Sequence, residues 1–340
     1  MTSNDSRHLP APLSGMCWPE RLLTRRNAIN VGIGFGLAGV FLPAITACRP
    51  MQQLESITVA GGEPGGFYLE FATLLAESLK RHGVAQNASP LATEASQDNL
   101  QLLLSGEATL GIALADSAAQ VMAGSPGRLV ALGRVFQNYF HCIVREDSRI
   151  RTVEDLAGKS VGTGAAGSGT WLTGQRIIAA AGLDEAGAAP IRERRLGLNM
   201  GLTAIRDGSI DALLLSGGVP IAAITAANDD VGLRFIDLSA LIPRLRASHG
   251  GIYERVLIPK NSYKGTPAVG TVGVANLLLC RDDLDGGTVG QTVELLVRHA
   301  QELIPRSSLG VQFLSPESLI STAGLPLHPA AAATYRALRG

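Results

Sequence analysis

From Ile57 onward, short apolar runs rich in β-branched residues alternate with longer stretches of helical periodicity. That alternation restricts the chain to an α/β architecture with largely parallel sheets. The strand-like runs are 56–60, 110–113, 140–144, 160–163, 212–215, 233–236 and 271–279. The helix-like runs are 67–82, 96–105, 171–181, 200–207, 219–227 and 290–303. Two stretches, 57–113 and 159–215, read as parallel units of different lobes. Each ends with a helix, a tight Gly turn bearing an acidic residue, and a buried strand (Gly106-Glu107-Ala108 in one, Asp207-Gly208-Ser209 in the other). Residues 139–145 are apolar enough to cross from one lobe to the other, and 271–281 to cross back.

The chain has 340 residues, 46% of them hydrophobic, enough for one large or two medium domains. Its 29 basic and 29 acidic side chains cancel, which argues against nucleic acid, because phosphate binding needs a surplus of Lys and Arg. With aromatics at 4%, no broad stacking platform is expected. The four cysteines, Cys17, Cys48, Cys142 and Cys280, fit no zinc spacing, so no metal is expected.

The first residues read as an address. Arg25-Arg26 precede a glycine-rich apolar run, 31–47, that is short for a membrane span. The arginine pair is of twin-arginine type, and Ile45-Thr46-Ala47-Cys48 has the form of a lipobox, in which Cys48 is acylated. A non-cleaved anchor helix is the other reading. Either way the remainder is expected outside the cytoplasm, held at a membrane, and residues before Cys48 take no part in the fold.

Three glycine turns stand between a strand and a helix: Gly61-Gly62-Glu63-Pro64-Gly65-Gly66, Gly164-Ala165-Ala166-Gly167-Ser168-Gly169-Thr170, and Ser216-Gly217-Gly218-Val219-Pro220. Ligands of α/β sheets bind at the carboxyl ends of strands, where such turns lie. A following helix presents unpaired N–H groups and partial positive charge, a site for carboxylate or phosphate without any Lys or Arg. One such turn is ordinary chain reversal; three in matching contexts point to a small anionic solute. Ser168 and Thr170 add hydroxyls able to cap a helix or bond a ligand.

Catalytic patterns are thin. The second turn lacks the Lys of a phosphate loop, the dinucleotide spacing is absent, and no nucleophile elbow or metalloprotease pair occurs. His82, His299 and His328 fall near helix ends, where solvated or capping roles are expected, and His141 reads as structural. No catalytic residue and no cofactor is assigned. Cys142 and Cys280 lie on the proposed crossing strands, where either a disulfide or two buried free thiols is compatible with the sequence.

An ordered series of motifs carries a family resemblance over 57–335. It comprises Gly65-Gly66-Phe67-Tyr68, Asn99-Leu100, Asp155-Leu156-Ala157-Gly158-Lys159 and Gly167-Ser168-Gly169-Thr170. It continues with Asp207-Gly208-Ser209-Ile210-Asp211-Ala212, Gly217-Gly218-Val219-Pro220, Ile258-Pro259 with Tyr263, and His328-Pro329. The chain resembles the TAXI class of solute receptors for tripartite ATP-independent periplasmic (TRAP) transporters. The resemblance implies a two-lobed, type II periplasmic-binding-protein fold with hinge strands between the lobes. It implies a periplasmic receptor with TRAP transporter membrane subunits as partners; with the lipobox and the thin catalytic patterns, a lipid-anchored monomer that is not an enzyme is expected. Implied ligands are glutamate, glutamine and 2-oxoglutarate, and implied contacts are Gly65, Gly66, Tyr68, Asp116, Ser168, Gly169, Thr170, Gly217 and Gly218. A ligand-sensing accessory protein for a membrane signalling partner is the alternative role.

The expected domains are a signal peptide (1–47) ending at Cys48, a tether (48–54), lobe 1 (55–142), lobe 2 (143–272) and a return strand with C-terminal helices (273–340), mainly on lobe 1. Trp171, directly after the second turn, either lines the cleft or packs on the lobe surface.

Overall fold

A computed structural model describes residues 54–187, 189–305 and 315–339. All fall in the compact unit Pro50–Gly340. The twin-arginine pair, the lipobox and Cys48 lie outside the described residues. Among the described residues no helix is long and apolar enough to cross a membrane.

The first half of the fold runs β1 (Leu54–Ala60), α1 (Phe67–Arg81), β2 (Ala85–Leu91), α2 (Ser96–Ser105), β3 (Leu110–Leu114) and α3 (Ala115–Gly124). β1 pairs in parallel with both β2 and β3. The second half repeats that plan with β5 (Ser160–Gly162), α4 (Gly169–Ala180), β6 (Arg192–Arg194), α5 (Leu198–Asp207), β7 (Ala212–Gly217) and α6 (Ala222–Val231). Here β5 pairs in parallel with β6 and β7. The two stretches read from the sequence as parallel units are therefore two β-α-β-α-β units of one topology.

Two long antiparallel strands join the halves, β4 (Leu129–Arg145) and β10 (Val269–Arg281). β10 pairs with β3 through Asn276–Leu279 and with β9 (Tyr253–Ile258) through Val269–Val274. β4 pairs with β7 through Tyr139–Ile143 and, at its end, with β8 (Leu233–Phe235). The sheet is continuous, in the order β2-β1-β3-β10-β4-β7-β5-β6. Burial explains why both strands are apolar without alternation. Val130, Leu132, Leu278 and Cys280 pack into the core around α1, α8 (Gly286–Arg298) and α10 (Pro329–Arg339). Their neighbours Leu129, Ala131, Leu277 and Leu279 pack on the opposite face with α2 and α3. In the second half Cys142 and Val144 face one core and Ile143 the other.

The crossing strands are longer than the sequence suggested. The first begins ten residues earlier, at Leu129 rather than Tyr139. Its register sets Cys280 beside Val130, twelve residues along β4 from Cys142. At about 3.3 Å per residue the two cysteines lie roughly 40 Å apart. Both are buried free thiols, and burial pushes each thiol up to about 12, so they remain protonated. No disulfide joins them.

Candidate functional site

In each half the helices start at the carboxyl ends of the parallel strands, and the two sets of helix starts face one another. Between them lies a cavity of about 130 Å³. At 10–15 Å³ per enclosed water this is room for roughly ten water-sized groups, a small organic solute. The first half contributes Gly62 to Tyr68 ahead of and within α1, Glu94 to Ser96 at α2, and Leu114. The second contributes Gly164, Ala165 and Ser168 to Thr170 at α4, Gly197-Leu198 at α5, and Leu215 to Gly217 with Pro220 to Ala223 around α6.

The caps decide what these helix ends can bind. α1, α2 and α6 begin without a side-chain cap, but the start of α2 is engaged by the other half, where Gln97 N donates to Gly167 O at 3.1 Å. α4 is capped internally: Ser168 Oγ accepts from Trp171 N at 3.2 Å and donates to Ala165 O at 2.8 Å. The start of α5 is filled by the other half, since Glu63 Oε1 accepts from Leu198 N at 3.2 Å. The positive ends open to a guest anion are therefore those of α1 and α6. Tyr263 fixes the α6 end: its hydroxyl accepts from Ile221 N at 3.2 Å and lies 3.1 Å from His141 Nε2. Burial holds His141 down to about 4, so this imidazole is neutral at physiological pH.

Other polar groups complete the wall. Asn138 Nδ2 donates to Ser216 Oγ at 3.1 Å, whereas its buried Oδ1 has no hydrogen-bond partner. Thr170 Oγ1 accepts from Ser216 N at 3.2 Å, which leaves its proton to donate elsewhere. Tyr68 donates to Asn276 Oδ1 and lies 3.5 Å from Ser96 Oγ. Burial raises the Tyr68 hydroxyl far above its ordinary range, so it acts as a neutral donor. Among the described residues, Glu63 and Glu94 are the charged side chains on the wall, and no Lys, Arg or His lines it.

The structure thus brings together seven of the nine expected contacts: Gly65, Gly66, Tyr68, Ser168, Gly169, Thr170 and Gly217. The remaining two stand elsewhere. Gly218 is off the wall, one residue past Gly217 as the chain leaves β7. Asp116 is fully buried and its carboxylate is consumed inside the protein. It accepts from Thr173 Oγ1 at 2.6 Å, from the Tyr253 hydroxyl at 2.8 Å and from Ser117 N at 2.7 Å, with Arg176 Nη1 at 3.7 Å. Since α3 belongs to one half and Thr173 and Arg176 to α4 of the other, Asp116 ties the halves together. Trp171 packs on the outer side, where its Nε1 donates to Glu193 Oε1 at 2.8 Å and Arg195 sits 5.2 Å from the ring centroid.

Sequence reasoning missed Ser96, Asn138, Gly197 and Ile221. Gly197 was recoverable from the repeated β-α-β-α-β plan, because α2 and α5 start at equivalent strand ends. Asn138 carries no local signal, since its position depends on pairing between β4 and β7.

Residues 59–337 match the model of the NMT1-like family. Among solved structures the chain is similar to one described as a periplasmic transporter, at a TM-score of 0.50 and 13% identity, covering 83% of this chain and 94% of that one. It is similar to the periplasmic aliphatic sulphonate binding protein SsuA from Escherichia coli, at a TM-score of 0.44 and 18% identity over 83% of each chain. XAC2383 from Xanthomonas citri, bound to chloride ion, has a TM-score of 0.49 and 13% identity, covering 84% of this chain and 98% of that one. The likeness is one of fold, the α/β arrangement of periplasmic solute-binding proteins.

Proposed function

The chain belongs to the NMT1-like family, and from that footing we propose that it is an extracytoplasmic solute receptor, not an enzyme. It binds a small carboxylate or amino acid, of the glutamate, glutamine or 2-oxoglutarate kind, between its halves and hands it to membrane transporter subunits. The observation that carries this reading is the cavity onto which α1 and α6 open without a side-chain cap, with no basic side chain on its wall among the described residues. Helix starts supply the positive field that an anion needs, and two of them converge.

The two wall carboxylates favour a guest that also carries N–H groups, as does the orphaned Asn138 Oδ1 once a small side-chain rotation brings that buried atom onto the cavity. An unpaired buried acceptor is costly, and a ligand ammonium or amide relieves it. Amino acids are thus favoured over 2-oxoglutarate. In this reading residues 55–142 and 273–340 form one lobe and 143–272 the other, with 1–47 an export signal and Cys48 the acylated anchor. TRAP subunits as the partners rest on the motif resemblance alone.

Native mass spectrometry of protein purified without denaturation tests the role. The expected result is a small solute released chemically unaltered, together with lipid on Cys48. Chemical conversion of the bound solute on incubation, or no thermal shift with any amino acid or organic acid, would overturn the receptor reading.

A further inference from the structure

Three metal-ligating side chains converge away from the cavity, at helix ends that the sequence separates widely. His82 is the C-cap of α1, His299 the C-cap of α8, and Glu302 lies in the 3-10 turn Ala300–Leu303 that follows. Their donor atoms all lie within 4.8 Å of one another. Glu302 Oε1 is 3.1 Å from His82 Nε2 and 3.3 Å from His299 Nδ1. A tetrahedral zinc ion with bonds of about 2.0–2.2 Å sets neighbouring donors about 3.3–3.6 Å apart. Two edges of the zinc polyhedron are therefore nearly in place.

The surroundings suit a cation. The imidazole rings lie side by side with centroids 3.7 Å apart and planes 27° apart, and a modest splaying of the rings turns both nitrogens toward one ion. Glu302 Oε2 is held by Ser78 Oγ at 2.9 Å and by Arg81 Nη1 at 2.5 Å, which orients the carboxylate as an outer shell does for a metal ligand. Both histidines cap helix C-termini, where the backbone carbonyls favour positive charge. The solute cavity lies at the opposite end of the 15-residue α1, about 22 Å away along its axis.

We propose that His82, His299 and Glu302 form a divalent transition-metal site of the zinc class, with the fourth position taken by water. Two imidazoles and one carboxylate form a donor set suited to zinc rather than to magnesium or calcium. The ion would pin the C-termini of α1 and α8 to one another across the back of the first half.

Titration of the chelator-treated full chain with zinc chloride at about pH 7.5 tests this, a pH at which free imidazole is largely neutral. One zinc per chain, a micromolar Kd and a raised Tm are expected. Substituting cobalt(II) should give the intense visible absorption of a four-coordinate centre. The double variant His82→Ala with His299→Ala should bind about 100-fold more weakly or not at all, beyond the 10–100-fold typical of losing an outer-shell partner. Glu302→Gln, which keeps the side chain's shape, guards against a folding defect in the double variant and should also weaken zinc and abolish the cobalt spectrum. Absence of saturable zinc binding by the wild-type chain would overturn the proposal. So would unchanged affinity in Glu302→Gln and the double variant, which would put the ion elsewhere.

Discussion

Asn138 is 3% exposed on the cavity wall, with one amide group engaged and the other bare. A ligand N–H at Oδ1 recovers roughly 1–3 kcal/mol that an unmade bond forfeits. Asn138→Leu should therefore weaken an amino-acid ligand by about 5- to 150-fold in a calorimetric titration. Asn138→Asp should retain that ligand while further disfavouring a dicarboxylate, because it adds negative charge beside an acceptor-only guest. Equal losses for both ligands in both variants would remove Asn138 from recognition. His141 makes a second prediction. Its folded pKa, about 4, lies below the ordinary 6.5, so between those values the unfolded chain binds more protons. The stability it supports is complete above about pH 6.5 and is lost as pH falls toward 4, by at most roughly 3 kcal/mol. Urea unfolding at both pH values, compared with His141→Gln, should show a shallower pH slope in the variant.

At the scale of elements, the start of α4 meets the first half at a distance that admits no side chain. A Cβ on Gly169 would stand 2.5 Å from Ser96 Oγ and 2.7 Å from Leu114 Cδ1. Gly169→Val should hold the halves apart and abolish solute binding while leaving each half folded, which circular dichroism checks. The buried Asp116 draws α3 onto α4 and β9. Asp116→Ala removes the acceptor of the Thr173 and Tyr253 hydroxyls and leaves the largely buried Arg176 charge with only neutral partners, Tyr253 and Gln120, a loss of about 3–5 kcal/mol in urea unfolding. These elements were unevenly legible in the sequence. α1, α2 and the strands β1, β3, β5 and β7 announced themselves through periodicity and glycine turns. β2 and β6 did not, since the first is a polar edge strand containing Pro90 and the second is the exposed Arg-Glu-Arg stretch. The front of β4 was hidden for the opposite reason, burial on both faces. Asp116 enters as a contact only through the family resemblance, and packing shows its oxygens spent between helices.

For the whole molecule, the two halves share one sheet through β4 and β10, so bending of those strands is the motion open to the cleft. Glu63 to Leu198 N, Gln97 N to Gly167 O and the Asp116 cluster hold the present arrangement closed. Glu63→Ala should increase the radius of gyration of the solute-free chain in small-angle scattering, and added solute should reverse the increase. The most direct test of the central claim is a calorimetric titration of the full chain and its Gly169→Val variant with glutamate, glutamine and 2-oxoglutarate. The account predicts one-to-one binding of at least one amino acid to the wild type, tighter than 2-oxoglutarate, and none to the variant. Wild-type protein that takes up none of the three, or a variant that binds as well as wild type, would contradict it.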